Sequence, residues 1–435
     1  MFKKIICFAL FLACFSQARA QLVVDIVAGN APQIPIAIIN FEAESKNLSG
    51  DAAELTKILK NDFEKTGLFK ILDPDSFPEN LKFGEMPSFE HWSLIKARAL
   101  VQAKLSSGKG NKLRLQFFLW DVESGEQIEA ESLVATIKSK RRLSHIMGDE
   151  VYKRLTGEGG YFDTQIAFIA ESGPVDHRNK RLAIMDSDGY NFRYISGAGV
   201  NVLSPVFSPN MHTLVFLSYR DDDPSVWTLD LNNGEQRRLG RFAGMTFSPQ
   251  FSPDGKKVAM SLVDGTFVNL YEFDLNTKIL KQLTYYDGID TSPSYSPDGK
   301  KLAFNSDRSG SQQIHVLDLA TLEDTRISYG TGRYATPAWS PRGDMIAFTK
   351  MSKDTFSIGV MSPTGKGEKI LSSGWFMESP SWAPNGRRVV YSVTDKVSDT
   401  ERASRLMSVD ITGHNEYEIK TPGHATDPSW SPLLP

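Results

Sequence analysis

Pro205-Val206-Phe207-Ser208-Pro209 decides the fold, because its pattern of Pro, any residue, an aromatic, Ser or Ala, and Pro returns five more times. The other copies are Pro249-Gln250-Phe251-Ser252-Pro253, Pro293-Ser294-Tyr295-Ser296-Pro297, Pro337-Ala338-Trp339-Ser340-Pro341, Pro380-Ser381-Trp382-Ala383-Pro384 and Pro428-Ser429-Trp430-Ser431-Pro432. Successive first prolines stand 44, 44, 44, 43 and 48 residues apart. The six pentads hold 12 of the 22 prolines in the chain, so coincidence does not explain them. A fixed period of this size marks a repeat architecture.

Each unit reads as four short strands. The pentad is a strand whose aromatic points into a core, and its second proline opens a tight turn, as in Ser252-Pro253-Asp254-Gly255. An apolar run follows, such as Val258–Leu262 or Leu302–Ser306. A third strand ends at a turn such as Asn232-Asn233-Gly234, and a short fourth strand such as Leu280–Thr284 closes the unit. Four strands every ~40–45 residues is the signature of a β-propeller. Ile166–Ala170 matches a second strand with no pentad before it, whereas Pro428–Pro432 is a pentad with no second strand after it. The simplest closure gives the last pentad to the first blade as its innermost strand. That predicts six blades and a ring closed by non-covalent pairing of its two ends, which hides the sheet edges.

The N-terminal third has a different pattern. Pro35–Phe41 reads as a strand, and Ala52, Leu55, Leu59 and Phe63 share one helical face over Asp51–Thr66. Asp51 with Glu54 suggests a capping box, and Gly67 a helix stop. Leu68–Leu72 is a second strand, and Ser88 a candidate cap for a helix through Trp92 and Ile95. Ala99–Leu105 is extended, and alternation at Leu113, Leu115, Phe117 and Leu119 leads through Glu123-Ser124-Gly125 into a hairpin. Leu143, Met147, Val151 and Leu155 form a last helical stripe before Gly157. The predicted fold is therefore two domains: an N-terminal α/β domain with helices on a small mixed sheet, residues 32–157, and an all-β six-bladed propeller closed by the C-terminal strand, residues 158–435.

Residues 1–20 read as a secretory signal peptide. Lys3 and Lys4 form its basic region, Ile5–Phe15 its apolar region, and Ala18-Arg19-Ala20 its cleavage site, between Ala20 and Gln21. The apolar run is too short to span a bilayer, so the mature chain is expected to carry no membrane span. Leu12-Ala13-Cys14 is a rival lipoprotein site, although Phe11 stands where such sites usually carry Leu. Both cysteines, Cys7 and Cys14, fall in the removed segment, which excludes disulfides and thiol chemistry from the mature protein. The full chain has a net charge of −3, with 49 Lys+Arg against 52 Asp+Glu, and offers no basic stripe for nucleic acid. Residues 21–31 remain as an N-terminal strand segment. Leu22, Val23, Val24 and Ile26 have strand character without a visible partner, so they either complete the local sheet or pair with another chain.

Catalytic patterns are missing. There is no Gly-x-Ser-x-Gly, no phosphate-cradling loop and no metal-ligand spacing among the seven histidines. Only His424 falls near the ring mouth, and His91, His145, His177, His212 and His315 suit surface or satisfied positions. Arg220-Asp221-Asp222-Asp223 lacks the ligand alternation of a calcium loop. Asp290, Glu378 and Asp427 are acidic residues near the mouth, and a propeller glycosidase would need two such carboxylates facing each other across a pocket. No cofactor or metal is expected.

A signal peptide, a short N-terminal strand, an α/β domain and six such blades ending in Asp427-Pro428-Ser429-Trp430-Ser431-Pro432-Leu433 together resemble the TolB family, periplasmic components of the Tol–Pal system of Gram-negative bacteria. Lys153-Arg154-Leu155-Thr156-Gly157 and Met185-Asp186-Ser187-Asp188-Gly189-Tyr190-Asn191 also look like that family. The resemblance implies no enzyme. It implies a periplasmic adaptor that binds Pal, a peptidoglycan-binding outer-membrane lipoprotein, on an open face of the propeller. It also implies that the N-terminal strand binds TolA, held or released according to Pal occupancy, in support of outer-membrane integrity and constriction during division. Other outer-membrane or peptidoglycan-associated proteins would be further partners. On this reading the TolA segment is Gln21, Leu22, Val23, Val24, Asp25 and Ile26. The Pal-facing mouth is Ser204, Met245, Thr246, Ser248, Thr291, Ser292, Thr336, Glu378, Ser379 and Asp427, residues that precede the first prolines. Two other classes stay open at this point: a periplasmic propeller hydrolase or lyase, and a small-ligand or sugar-binding propeller.

Overall fold

The structure is a computed structural model that describes residues 32–174, 177–220, 224–398 and 401–435. The signal peptide, the Gln21–Ile26 segment and Asp221–Asp223 lie outside the described residues.

The α/β domain is built on a sheet ordered Phe69–Ile71, Ile34–Ile38, Ala99–Ser107, Lys112–Asp121, Glu126–Thr136, with Glu42–Ala43 also paired to Ala99–Ser107. The first three strands run parallel and the last two pair antiparallel as a hairpin. Helices α1 (Ser49–Thr66) and α3 (Lys140–Thr156) pack together on one face, and the short helix α2 (Phe89–Leu94) brings Trp92 onto the other. The apolar stripe expected on α1 is buried at Ala52, Leu55, Ile58, Leu59 and Phe63. Two capping expectations fail. Leu48 precedes α1 with no side-chain cap, and Asp51 and Glu54 instead hold Lys140 Nζ at 2.6 and 2.7 Å. Ser88 precedes α2 but its hydroxyl donates to Glu79, at 3.1 Å. An ion pair to α3 thus replaces the local cap, because the start of α1 lies against a cationic neighbour rather than water.

The remaining chain forms six four-stranded blades, each an antiparallel meander. Blade 1 combines His424–Trp430 from the end of the chain with Gln165–Ser172, Asn179–Asp186 and Arg193–Tyr194. Blades 2 to 6 begin with Val202–Phe207, Thr246–Phe251, Asp290–Tyr295, Arg333–Trp339 and Met377–Trp382. The C-terminal strand pairs antiparallel with Gln165–Ser172, so the ring closes as the pattern predicts. Closure is secured beyond the ladder. Trp430 Nε1 donates to Thr164 Oγ1 at 2.9 Å, Ser431 N–H to the Gln165 carbonyl at 2.9 Å, and Arg142 Nη2 to the Pro435 carbonyl at 2.9 Å.

Neighbouring blades are also stitched by the second pentad position. Where it is Ser, its hydroxyl accepts from the aromatic N–H of the next blade: Ser429 from Phe207, Ser294 from Trp339 and Ser381 from Trp430, at 3.4, 2.9 and 2.9 Å. A hydroxyl at this place satisfies a buried amide that the ladder leaves free.

The two domains share one core. Phe63, Tyr152, Tyr161 and Phe162 continue without a break into Phe168, Val390, Leu406 and Trp430 of blades 1 and 6. Arg388, fully buried, donates to the carbonyls of Lys65 (3.3 Å), Asn415 (2.6 Å) and Ser408 (3.1 Å). Gly67, at φ +69°, ends α1 against the propeller, and a Cβ there would fall 1.8 Å from Asn415 Nδ2. Arg342 and Asn385, in turns that follow pentads, meet Glu158 and the Gly159 carbonyl of the linker, and Arg388 opens the strand after such a turn, so the α/β domain lies against the end where these innermost strands leave the ring. The opposite end, where those strands enter, is the mouth.

Candidate docking face at the propeller mouth

The six innermost strands surround a central channel of about 590 Å³. Its wall is made of the pentads themselves. The first prolines and the residues before them line it, and so do the second prolines. Ser204, Ser248, Ser292, Thr336, Ser379 and Asp427 thus come together as one ring, one residue per blade. All six adopt left-handed backbone conformations, with φ between 45° and 58°. At each of them the pairing with the second strand slips, for example between Leu203 and Val206 or between Thr426 and Ser429. A β-bulge at each blade therefore bends the strand where it enters the channel. None of the six is glycine, so the left-handed geometry stores strain, of a kind concentrated at functional sites.

The other four residues expected at the mouth stand apart from that ring. Met245 is exposed on the approach to blade 3. Thr246 is buried, and its hydroxyl accepts from the Val226 N–H at 3.1 Å, so it joins blade 2 to blade 3. Thr291 and Glu378 precede ring residues by one position and pair with Asn305 and Ser392 in their own blades.

Charge on the ring is lopsided. Five positions carry hydroxyls, and Asp427 is the single carboxylate among the described residues lining the channel. Its Oδ2 accepts from the Ser204 N–H at 3.1 Å and its Oδ1 from the Ser379 hydroxyl at 3.3 Å. Burial pushes the Asp427 carboxyl above its ordinary range. Burial together with the Asp427 charge pushes Glu378 up to about 7. Asp290 is fully buried and bound by Arg308 Nη2 at 2.6 Å, away from the channel. The channel wall therefore does not present the pair of opposed carboxylates that glycoside hydrolysis uses.

Histidine reading by sequence was uneven. His424 accepts from the Ser404 N–H through Nδ1 at 3.2 Å, a structural role. His315 is buried with Nδ1 2.7 Å from Asp324 inside blade 4. His145 is buried between domains, and nothing in its surroundings along the chain distinguishes it.

Sequence reasoning also missed the apolar character of the mouth. Second strands end at this face and fourth strands return to it. The loops there expose Tyr219, Met245, Tyr285, Ile289, Tyr329 and Trp375; Tyr285 and Tyr329 are 75% and 70% accessible. Their signal was available: each lies just outside a strand, on the side where the next pentad begins. With Phe267 and Val397, exposed on the same side, these residues form a discontinuous collar, with Arg326 on Tyr329 and Arg402 on Trp375 at 5.0 and 5.1 Å. Tyr, Trp and Arg are the side chains that dominate the energetics of protein docking.

Comparisons with known proteins agree with the two-domain reading. The sequence matches the family described as the TolB beta propeller domain over residues 152–434, and that described as the TolB amino-terminal domain over residues 22–128. The Tol-Pal system protein TolB of Rickettsia bellii, in strains OSU 85-389 and RML369-C, is 48% identical over 443 aligned positions, covering 99% of this chain and 100% of the relative. The crystal structure of TolB from Acinetobacter baumannii superposes with a TM-score of 0.81 at 25% identity, covering 92% of this chain and 97% of the other. With family matches on both domains and a relative this similar over its whole length, the chain belongs to the TolB family of Tol–Pal system proteins.

Proposed function

We propose that this protein is a non-catalytic periplasmic adaptor that docks the lipoprotein Pal on the propeller mouth and TolA through Gln21–Ile26, in support of outer-membrane integrity and constriction during division. The observation that carries the Pal half is the contrast between the ring's two ends. One carries the α/β domain against blades 1 and 6, while the other surrounds the channel entrance with strained backbone and an aromatic collar. Such a collar suits a folded protein surface, because scattered large side chains around a polar centre supply anchors without a continuous sticky patch. The polar ring inside it, from Ser204 to Asp427, offers hydroxyls, a carboxylate and backbone groups to a projecting loop. The TolA half rests on the strand character of Leu22, Val23, Val24 and Ile26, and the periplasmic assignment on the signal peptide read in residues 1–20.

Two captures test the proposal. Mature protein immobilised against purified Pal should bind it, and the double variant Tyr285→Ala, Trp375→Ala should lose at least ~10-fold in affinity. Deleting Gln21–Ile26 should abolish TolA capture and leave Pal capture intact. Loss of both, or of neither, contradicts the division of labour.

A further inference from the structure

Where the α/β domain meets blade 1, a histidine is buried between carboxylates from the two domains. His145, on α3, is 2% exposed. Its Nδ1 stands 2.7 Å from Asp62 Oδ2 on α1, and its Nε2 3.6 Å from Asp188 Oδ2 on the turn that follows Asn179–Asp186. Both carboxylates have side chains only 4% accessible. Arg141 of α3 also pairs with Asp188, and it lies on the Tyr190 ring at 3.8 Å and 3.4 Å from Glu54. Asp186 faces His145 from the blade, Lys65 faces Asp62 from α1, and Asp149 stands behind them on α3.

The geometry constrains the proton count. With Nδ1–H given to Asp62, a neutral ring would turn the Nε2 lone pair toward the Asp188 carboxylate. Nε2 is buried and makes no hydrogen bond within normal reach. Burial pushes the Asp62 carboxyl up, but only the imidazolium presents an N–H to each carboxylate. We propose that His145 is a proton-dependent tie between the domains: its imidazolium bridges Asp62 of the α/β domain to Asp188 of blade 1, and loss of the proton loosens the turn at Asp188. This goes beyond the adaptor reading and does not depend on it.

Electrostatics support the same picture. Burial opposes charging the ring, but Asp62 and Asp188 outweigh both burial and Arg141 and push His145 up to about 9, from an ordinary 6.5. Because the folded value is raised, the stabilisation is complete below pH 6.5 and is lost as pH rises through about 9. Arg141 keeps its own ion pair with Asp188, so the expected change is a local loosening of the junction, not separation of the domains. Asp149 accepts from the N–H groups of Phe162 and Asp163, and burial raises it only to about 7. Its titration therefore lies below that of His145.

The test uses the full mature chain labelled with ¹³C at histidine. The His145 ring signal, assigned by elimination from single replacements of the other six histidines, should titrate with a midpoint above ~7.5, at least a unit over a free imidazole. Amide exchange at Ser187–Asn191, corrected for intrinsic rate, should rise at least fivefold between neutral pH and the alkaline end of the titration, and stay flat in His145→Gln. A midpoint at or below ~7.5, or the same exchange profile in the variant, overturns the proposal. If His145→Gln does not fold, Asp188→Asn decides: it should lower the His145 midpoint by about a unit, and an unmoved midpoint overturns the tie.

Discussion

The two ends of the same ring are built from the same six pentads and treated in opposite ways. At the exit end, turns such as Ser340–Arg342 and Ala383–Arg388 are pressed against the α/β domain. There Arg342 meets Glu158 at 3.0 Å, Asn385 meets the Gly159 carbonyl at 2.8 Å, and Arg388 spends its donors on carbonyls of both domains. At the entry end, large side chains are left in water and the backbone is held in left-handed conformations six times over. The contrast separates two kinds of residue. Substitutions at the end that bears the α/β domain or in the closure strand should act on folding, and substitutions at the opposite end on recognition.

The sharpest way to break that comparison is Trp430→Ala. Trp430 sits where the closure strand, Tyr161 of the segment joining the two domains and the Ser381 stitch converge, 6.0 Å from the Tyr161 ring centroid. Its loss should cost ~3–5 kcal/mol, as for other buried aromatics, seen as a large fall in melting temperature. Glu378→Gln tests whether the open end carries a stability cost. The raised carboxyl is neutral in acid and charges as pH climbs through about 7, so folding stability falls between pH 4.5 and 7. The variant should match the wild type below pH 4.5 and exceed it by up to ~3 kcal/mol at pH 8 in denaturant titrations. Trp375→Ala should weaken Pal binding by ~1–2 kcal/mol in calorimetry and leave the melting temperature nearly unchanged, since the ring is exposed. Ser294→Ala, which leaves the Trp339 N–H unmet, should cost ~1 kcal/mol and leave Pal binding untouched. A Ser294→Ala effect as large as that of Trp430→Ala would mean that the stitches, not the closure strand, hold the ring.

Much of the fold was legible because its determinants are local and repeated. Six copies of a pentad set blade number, and the mismatch between Ile166–Ala170 and Pro428–Pro432 set the closure. The helical stripe of α1 emerged at its expected positions. Caps were less legible: Asp51 and Glu54 carry the right spacing for a capping box, but Lys140, 89 residues away from Asp51, claims both. At the mouth, the residue before each first proline lies on the channel wall, whereas Thr246 is drawn into a blade junction by the Val226 amide.

The repeat period and the alternation of apolar residues dictate strands, turns and ring size, because each depends on contacts within one blade or between sequence neighbours. Which end of the ring is covered, which carboxylate faces His145, and where the six bulges put their strain depend on groups brought together from distant parts of the chain. No local pattern encodes such meetings: Asp62 and His145 are 83 residues apart, and Asp427 and Ser204 are 223 apart. They exist only once the core shared by the two domains has fixed the distances.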